Sequence, residues 1–66
     1  MQILVNGQPR SAAEPLALPG LIEELKLGDR RVAIELNGAI VPRSAWPSTR
    51  LADGDRLEIV QAIGGG

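Results

Sequence analysis

Apolar and polar residues alternate along three segments of this chain, and a period of two is typical of β-strands with one buried face. The segments are residues 2–6, 32–36 and 56–63. In the last of them, Glu58 and Val60 fall on the face opposite to the core. The residues expected on the buried face of these strands are Ile3, Val5, Val32, Ile34, Leu57 and Ile59.

Two Asn-Gly pairs, at positions 6–7 and 37–38, each follow one of these strands. Both residue types tolerate positive φ, which a two-residue type I′ hairpin turn requires. The sequence therefore predicts two hairpins, whose second strands cover residues 8–12 and 39–41. Pro9 cannot donate a ladder hydrogen bond, so we expect the earlier of these strands to lie at the edge of the sheet.

Between the hairpins the apolar spacing changes to that of an amphipathic helix over residues 19–27. Pro19 suits the first helical turn, and Gly28 stands where a left-handed C-terminal cap is expected. No side-chain oxygen is available as an N-cap at the preceding residue. The positions that form the apolar stripe are Leu18, Leu21, Ile22 and Leu25.

Prolines surround residues 43–49, so this segment is predicted to be a loop that includes one helical turn. Its large apolar residue is Trp46, and we expect it to cover the core; the alternative is an outward anchor for a partner. The Asp-Gly-Asp sequence at 53–55 is interpreted as a turn, because two carboxylates supply too few oxygens for calcium.

The predicted order is therefore two strands, a helix, two strands of which the second is short, and a final strand. When the first and last strands lie side by side and parallel, the helix can cross one face of the mixed sheet and bury its apolar stripe there. This is a ubiquitin-like β-grasp of the α+β class. We expect one domain over residues 1–63 and a flexible glycine tail over residues 64–66.

Composition argues against an enzyme. The chain has 66 residues, 44% of them hydrophobic, and lacks histidine, cysteine and tyrosine, which are common general bases, nucleophiles and acids. A net charge of −1 and a single aromatic residue supply neither the basic surface nor the stacking side chains that binding of nucleic acid requires. No apolar run is long enough for a membrane span or a signal peptide, so we expect a cytoplasmic protein.

The candidate for chemistry is the run of glycines Gly64, Gly65 and Gly66 after the last predicted strand. Glycine has no Cβ to collide with the walls of a narrow channel, and three extended residues reach roughly 10 Å. Such a tail could carry its α-carboxylate into the active site of a partner. A solvated, inert tail is the plain alternative.

Four segments, taken in order, resemble the ThiS family of sulfur carriers of thiamin biosynthesis. They are MQILVNG, RRVAIELNGAIVPRSAW, LADGDRLEIV and QAIGGG, and together they span nearly the whole chain. The resemblance implies a β-grasp carrier whose Gly66 carboxylate is adenylated with ATP and converted to a thiocarboxylate. Gly65 would complete the family's diglycine, and Gly64 extends the run by one residue.

The partners that this resemblance implies are an E1-like adenylyltransferase of the ThiF type and a thiazole synthase of the ThiG type. ATP and the sulfur donor would be used by those enzymes, and this chain would bind no cofactor or metal. Val60 and Ala62, which face away from the helix, could belong to a docking face.

Three other functions stay open. A small subunit of molybdopterin synthase would share the fold and the diglycine, although that family usually approaches its glycines through a proline. A ubiquitin-like modifier would form isopeptide bonds with lysine side chains. An interaction domain with an inert tail would need none of this chemistry.

Overall fold

The computed structural model of the protein describes residues 1–28 and 31–61. Five strands form one sheet in the order β2-β1-β5-β3-β4, with β1 and β5 parallel and the other neighbours antiparallel. This arrangement confirms the predicted β-grasp and places β2, which contains Pro9, at an edge. The elements are β1 (Gln2–Val5), β2 (Gln8–Ser11), α1 (Leu18–Glu24), β3 (Val32–Leu36), β4 (Ala39–Ile40), a 3-10 helix (Arg43–Ser48) and β5 (Arg56–Gln61).

Both hairpins turn at their Asn-Gly pairs, as predicted. The φ angles are 52° and 81° at Asn6 and Gly7, and 52° and 88° at Asn37 and Gly38. Positive φ at both central residues defines the type I′ turn, whose twist matches that of the strands it joins.

Helix α1 differs from the prediction at both ends. It starts at Leu18, with Ala17 as an N-cap that makes no side-chain hydrogen bond, and its last residue is Glu24. The predicted cap at Gly28 is wrong, because the residue with positive φ is Lys26, at 60°. Lys26 N donates to Glu23 O at 3.0 Å and Leu27 N to Ile22 O at 3.0 Å, which is the hydrogen-bond pattern of a Schellman motif.

The Schellman motif lets Leu27 pack against the core. It ends the helix early and brings Leu27 back against the core, where Leu27 is partly buried. In a Schellman motif the residue after the left-handed one commonly makes an apolar contact with the last helical turn, and Leu27 has that position here.

The core lies between α1 and one face of the sheet, as expected, and is entirely aliphatic. Leu51 is a member that the sequence analysis did not identify. It is drawn in by pairing of the segment before α1 with the segment after the 3-10 helix: Leu51 N donates to Leu16 O at 2.9 Å and Leu18 N to Thr49 O at 2.8 Å. The buried residues are Ile3, Leu18, Leu21, Ile22, Ile34, Leu51 and Leu57.

Trp46 packs against this core from the 3-10 helix, as predicted, and is partly buried. Its indole Nε1 donates to the carbonyl of Val41 at 2.9 Å. The guanidinium carbon of Arg43 lies 4.5 Å from the ring centroid, a cation–π distance. The segment predicted as a loop is thus a 3-10 helix. It contains Trp46, whose indole is hydrogen-bonded within the domain.

Candidate functional site

The candidate site lies beyond the end of β5. The predicted strand over residues 56–63 is observed as Arg56–Gln61, and residues 62–66, with Gly64, Gly65 and Gly66, lie outside the described part of the chain. The reactive role of Gly66 and the division into a domain and a tail therefore stay predictions. The structure does show how the strand that leads to these residues is held.

Strand β5 is central and has neighbours on both sides. β3 pairs with it antiparallel as far as Val32 opposite Gln61, the last described residue. On the other side β1 runs parallel, with Leu4 beside Arg56 and Val5 beside Leu57. The position from which residues 62–66 start is thereby fixed on the body of the domain.

Asn6 extends the parallel pairing beyond the end of β1. Its backbone N donates to Leu57 O at 2.9 Å. Its side chain then takes the place of a further peptide group, since Oδ1 accepts from Ile59 N at 2.7 Å and Nδ2 donates to Ile59 O at 3.1 Å. The local sequence indicates only a turn residue at this asparagine, and its contact with β5 was not predicted.

Asn37 makes the corresponding contact at the start of β5. Its Oδ1 accepts from Arg56 N at 2.9 Å, and its Nδ2 donates to Asp55 Oδ1 at 3.0 Å. The two hairpin turns therefore hold β5 from opposite sides, one at its first residue and the other at Ile59.

The Asp-Gly-Asp segment is a turn, as predicted, with Gly54 at a φ of 89°. Asp53 Oδ1 accepts from Gln2 N at 2.7 Å, and Asp55 Oδ2 accepts from Ala52 N at 2.8 Å. Both carboxylates are engaged in backbone hydrogen bonds. Their function is to order the approach to β5.

A shallow groove of about 280 Å³ opens beside the end of β5, between the end of α1 and the sheet. Its apolar walls include Leu25, Leu27, Val32 and Ile59, and Gln61 also lines it. Over residues 1–28 and 31–61, no group of three or more His, Cys, Asp or Glu side chains is placed to hold a metal ion. In the same ranges, no helix has the length and apolar character to cross a bilayer.

Comparison with known proteins identifies close relatives. The model of the ThiS family matches residues 3–66. The sulfur carrier protein ThiS of Escherichia coli is 36% identical, and the match covers 100% of both chains. The crystal structure of the thiamine biosynthesis protein ThiS from Geobacter metallireducens superimposes with a TM-score of 0.87 at 38% identity, again over 100% of both chains.

A relative of different size also matches. A thiazole synthase of Paramagnetospirillum magneticum is 41% identical over 66 residues, which are 100% of this chain but 20% of that protein. The chain thus spans about a fifth of the length of this relative. A domain similar to the present one is therefore joined to a much longer polypeptide there.

Proposed function

Since this chain belongs to the ThiS family, we propose that it is a sulfur carrier of thiamin biosynthesis and that it works through the α-carboxylate of Gly66. The observation that carries the proposal is the end-to-end match with the Escherichia coli sulfur carrier. The family model also extends through residue 66, so the glycine run lies within the shared region.

The proposed chemistry begins with activation of the carboxylate. A peptide α-carboxylate is ionised at neutral pH and has no adequate leaving group. Its oxygen attacks the α-phosphorus of ATP, the bond to pyrophosphate breaks, and an acyl adenylate forms. Sulfide, as HS⁻, then attacks the carbonyl carbon, the acyl–phosphate bond breaks with AMP as the leaving group, and loss of the S–H proton gives the thiocarboxylate.

The chain's own contribution to this chemistry is presentation of the carboxylate. Five residues follow Gln61, and five extended residues reach roughly 17 Å from the anchored end of β5. The last three have no side chains, so they fit a channel that admits only backbone. The acyl group and its attacking partner must be held about 3–3.5 Å apart in a site that neutralises phosphate charge.

That site belongs to partners in this proposal. A ThiF-type adenylyltransferase supplies the ATP site and the sulfur relay, and a ThiG-type thiazole synthase accepts the sulfur. The name of the relative from Paramagnetospirillum magneticum supports the second partner. In this proposal the carrier is a protein-bound cosubstrate and not an enzyme, and it works in the cytoplasm together with its ATP-using partner.

The position of the carboxylate gives a direct test. Adding one alanine after Gly66 moves the terminal carboxylate by about 3.5 Å and should abolish ATP–pyrophosphate exchange with the activating enzyme, while the thermal unfolding curve stays unchanged. Exchange at the wild-type rate by the extended variant would contradict the proposal.

Two further results would favour the other candidates. Full function in cells after deletion of Gly65 and Gly66 would indicate an interaction domain with an inert tail. Isopeptide conjugates of the chain to lysine side chains would indicate a modifier.

A further inference from the structure

The face of the sheet that α1 does not cover carries the exposed large hydrophobic side chains of the described residues. These are Ile40 and Val60, with 63% and 60% of their surface exposed. The neighbouring large apolar residues of β3 and β5 point the other way, into the core. We call this surface the helix-free face and define it by Ala33, Glu35, Ile40, Glu58 and Val60.

The strand register places these side chains side by side. Ala33 lies opposite Val60, Glu35 opposite Glu58, and Ile40 opposite Glu35 on its other side. Side chains of directly opposed residues share a face of the sheet, with Cβ atoms about 5 Å apart. Two glutamates therefore lie next to each other on the helix-free face, with an exposed aliphatic residue on either flank, and Arg56 lies on the same side of β5.

The opposed glutamates do not serve the fold. Like charges at directly opposite positions of an antiparallel pair destabilise the sheet. Within residues 1–28 and 31–61 the single ion pair is that of Arg10 with Glu24, at 3.2 Å, so neither Glu35 nor Glu58 is neutralised there. Arg56, two residues before Glu58 on the same strand, does not form an ion pair with it.

We propose that the helix-free face is the docking surface for a thiazole synthase, whose arginine or lysine side chain lies between Glu35 and Glu58 while apolar residues cover Ile40 and Val60. A guanidinium has enough donors to bind both carboxylates at once. The proposal rests on the function proposed above, and it adds the surface to which the thiazole synthase binds.

Two observations favour this occupant. The thiazole synthase of Paramagnetospirillum magneticum contains a domain similar to this chain within one polypeptide, which is expected of two parts that work in contact. In addition, Val60 directly precedes Gln61, from which residues 62–66 continue. A partner seated on this face therefore lies beside Gln61, and its reaction centre must be within roughly 17 Å of that residue, the reach of five extended residues.

A second copy of this chain is a poor occupant. A two-fold symmetric contact places the same patch of both copies together, so four glutamates would meet at one interface. The same repulsion disfavours nucleic acid.

The test compares binding of the wild-type chain and its variants to the purified thiazole synthase of the same organism, measured by isothermal titration calorimetry. Glu58→Gln should weaken binding roughly tenfold and Glu58→Lys by more, because a charge that faces a desolvated partner charge is lost or reversed. Glu23→Gln is the matched control: Glu23 is an exposed glutamate of α1, away from the sheet, and this change should alter affinity by less than about twofold.

Stability provides a second readout. Removal of one of two opposed like charges should leave the melting temperature of Glu58→Gln equal to that of the wild type or higher. Weaker binding by a variant of undiminished stability would support the docking surface, since a purely structural function of Glu58 predicts that both decline.

Other outcomes overturn the proposal. One is undiminished binding of Glu58→Gln to the synthase, and another is an equal loss of affinity with Glu23→Gln. The others are no measurable binding of the wild type to the synthase, and a loss of affinity that is seen with the activating enzyme alone. Thiocarboxylate formation on Gly66, followed by mass spectrometry in the same variants, tests the proposed function separately, because it depends on the activating enzyme and not on docking to the synthase.

Discussion

The side chain of Asn6 and the backbone of Ile59 exchange two hydrogen bonds, of 2.7 Å to Oδ1 and 3.1 Å from Nδ2. The first residue of a hairpin turn thus supplies a rung of the parallel pairing between β1 and β5. The contact joins residues 53 positions apart in the chain, and it lies two residues before the last described residue of β5.

Replacement of Asn6 separates the two functions of this residue. Asn6→Gly keeps the positive φ of the turn but removes both side-chain hydrogen bonds, and should lower the free energy of unfolding by about 1 kcal/mol. Asn6→Ala should cost about 1–2 kcal/mol more, because alanine is strained in the left-handed region. Urea unfolding measures both changes.

Hydrogen exchange locates the effect of Asn6→Gly. The amide of Ile59 should exchange faster in this variant, since it loses its acceptor, whereas the amide of Asn37, which donates to Arg56 O at 2.7 Å, should be less affected. Unchanged protection at Ile59 would show that the Asn6 side chain does not hold β5 in solution.

The two faces of β5 should respond differently to truncation. Leu57 is fully buried and Val60 is 60% exposed. Leu57→Ala should therefore lower the free energy of unfolding by about 2–5 kcal/mol, while Val60→Ala should change it by less than about 0.5 kcal/mol. Chemical denaturation of the two variants checks this, and equal losses would contradict the assigned orientation of the strand.

The C-terminal cap of α1 offers a stabilising substitution. Lys26 has a φ of 60°, so Lys26→Gly should raise the free energy of unfolding by about 0.5–1 kcal/mol. Gly28 is the control, because a Cβ there meets no atom within 4 Å and its φ is not positive. Gly28→Ala should leave the free energy of unfolding nearly unchanged. A decrease of about 1 kcal/mol or more would show that Gly28 is the residue with left-handed backbone.

Local patterns predicted most of this fold because its turns and strands have local causes. A two-residue hairpin turn requires positive φ, and the Asn-Gly pairs tolerate it. Alternation of apolar and polar residues assigned Leu57 and Val60 to opposite faces of β5 correctly. The end of α1 could not be predicted in this way, since Lys26 has no intrinsic preference for the left-handed region and adopts it because Leu27 packs on the core.

Features that depend on distant pairing were also missed. Leu51 is a single large apolar residue between Arg50 and Ala52, and its burial follows from the pairing with Leu16, 35 positions earlier. The contact of Asn6 with Ile59 likewise requires the parallel pairing of the first and last strands. At the candidate site, the glycines were identified from composition and resemblance, whereas the opposed pair of Glu35 and Glu58 became visible only once the register was known.

The most direct test of the central claim is the intact mass of the protein after incubation with ATP, a sulfide source and the activating enzyme of the same organism. We predict the mass change for replacement of one oxygen by sulfur, and fragmentation should locate it on Gly66. An unchanged mass in the presence of an enzyme shown to be active on another carrier, or a change located elsewhere in the chain, would contradict the account.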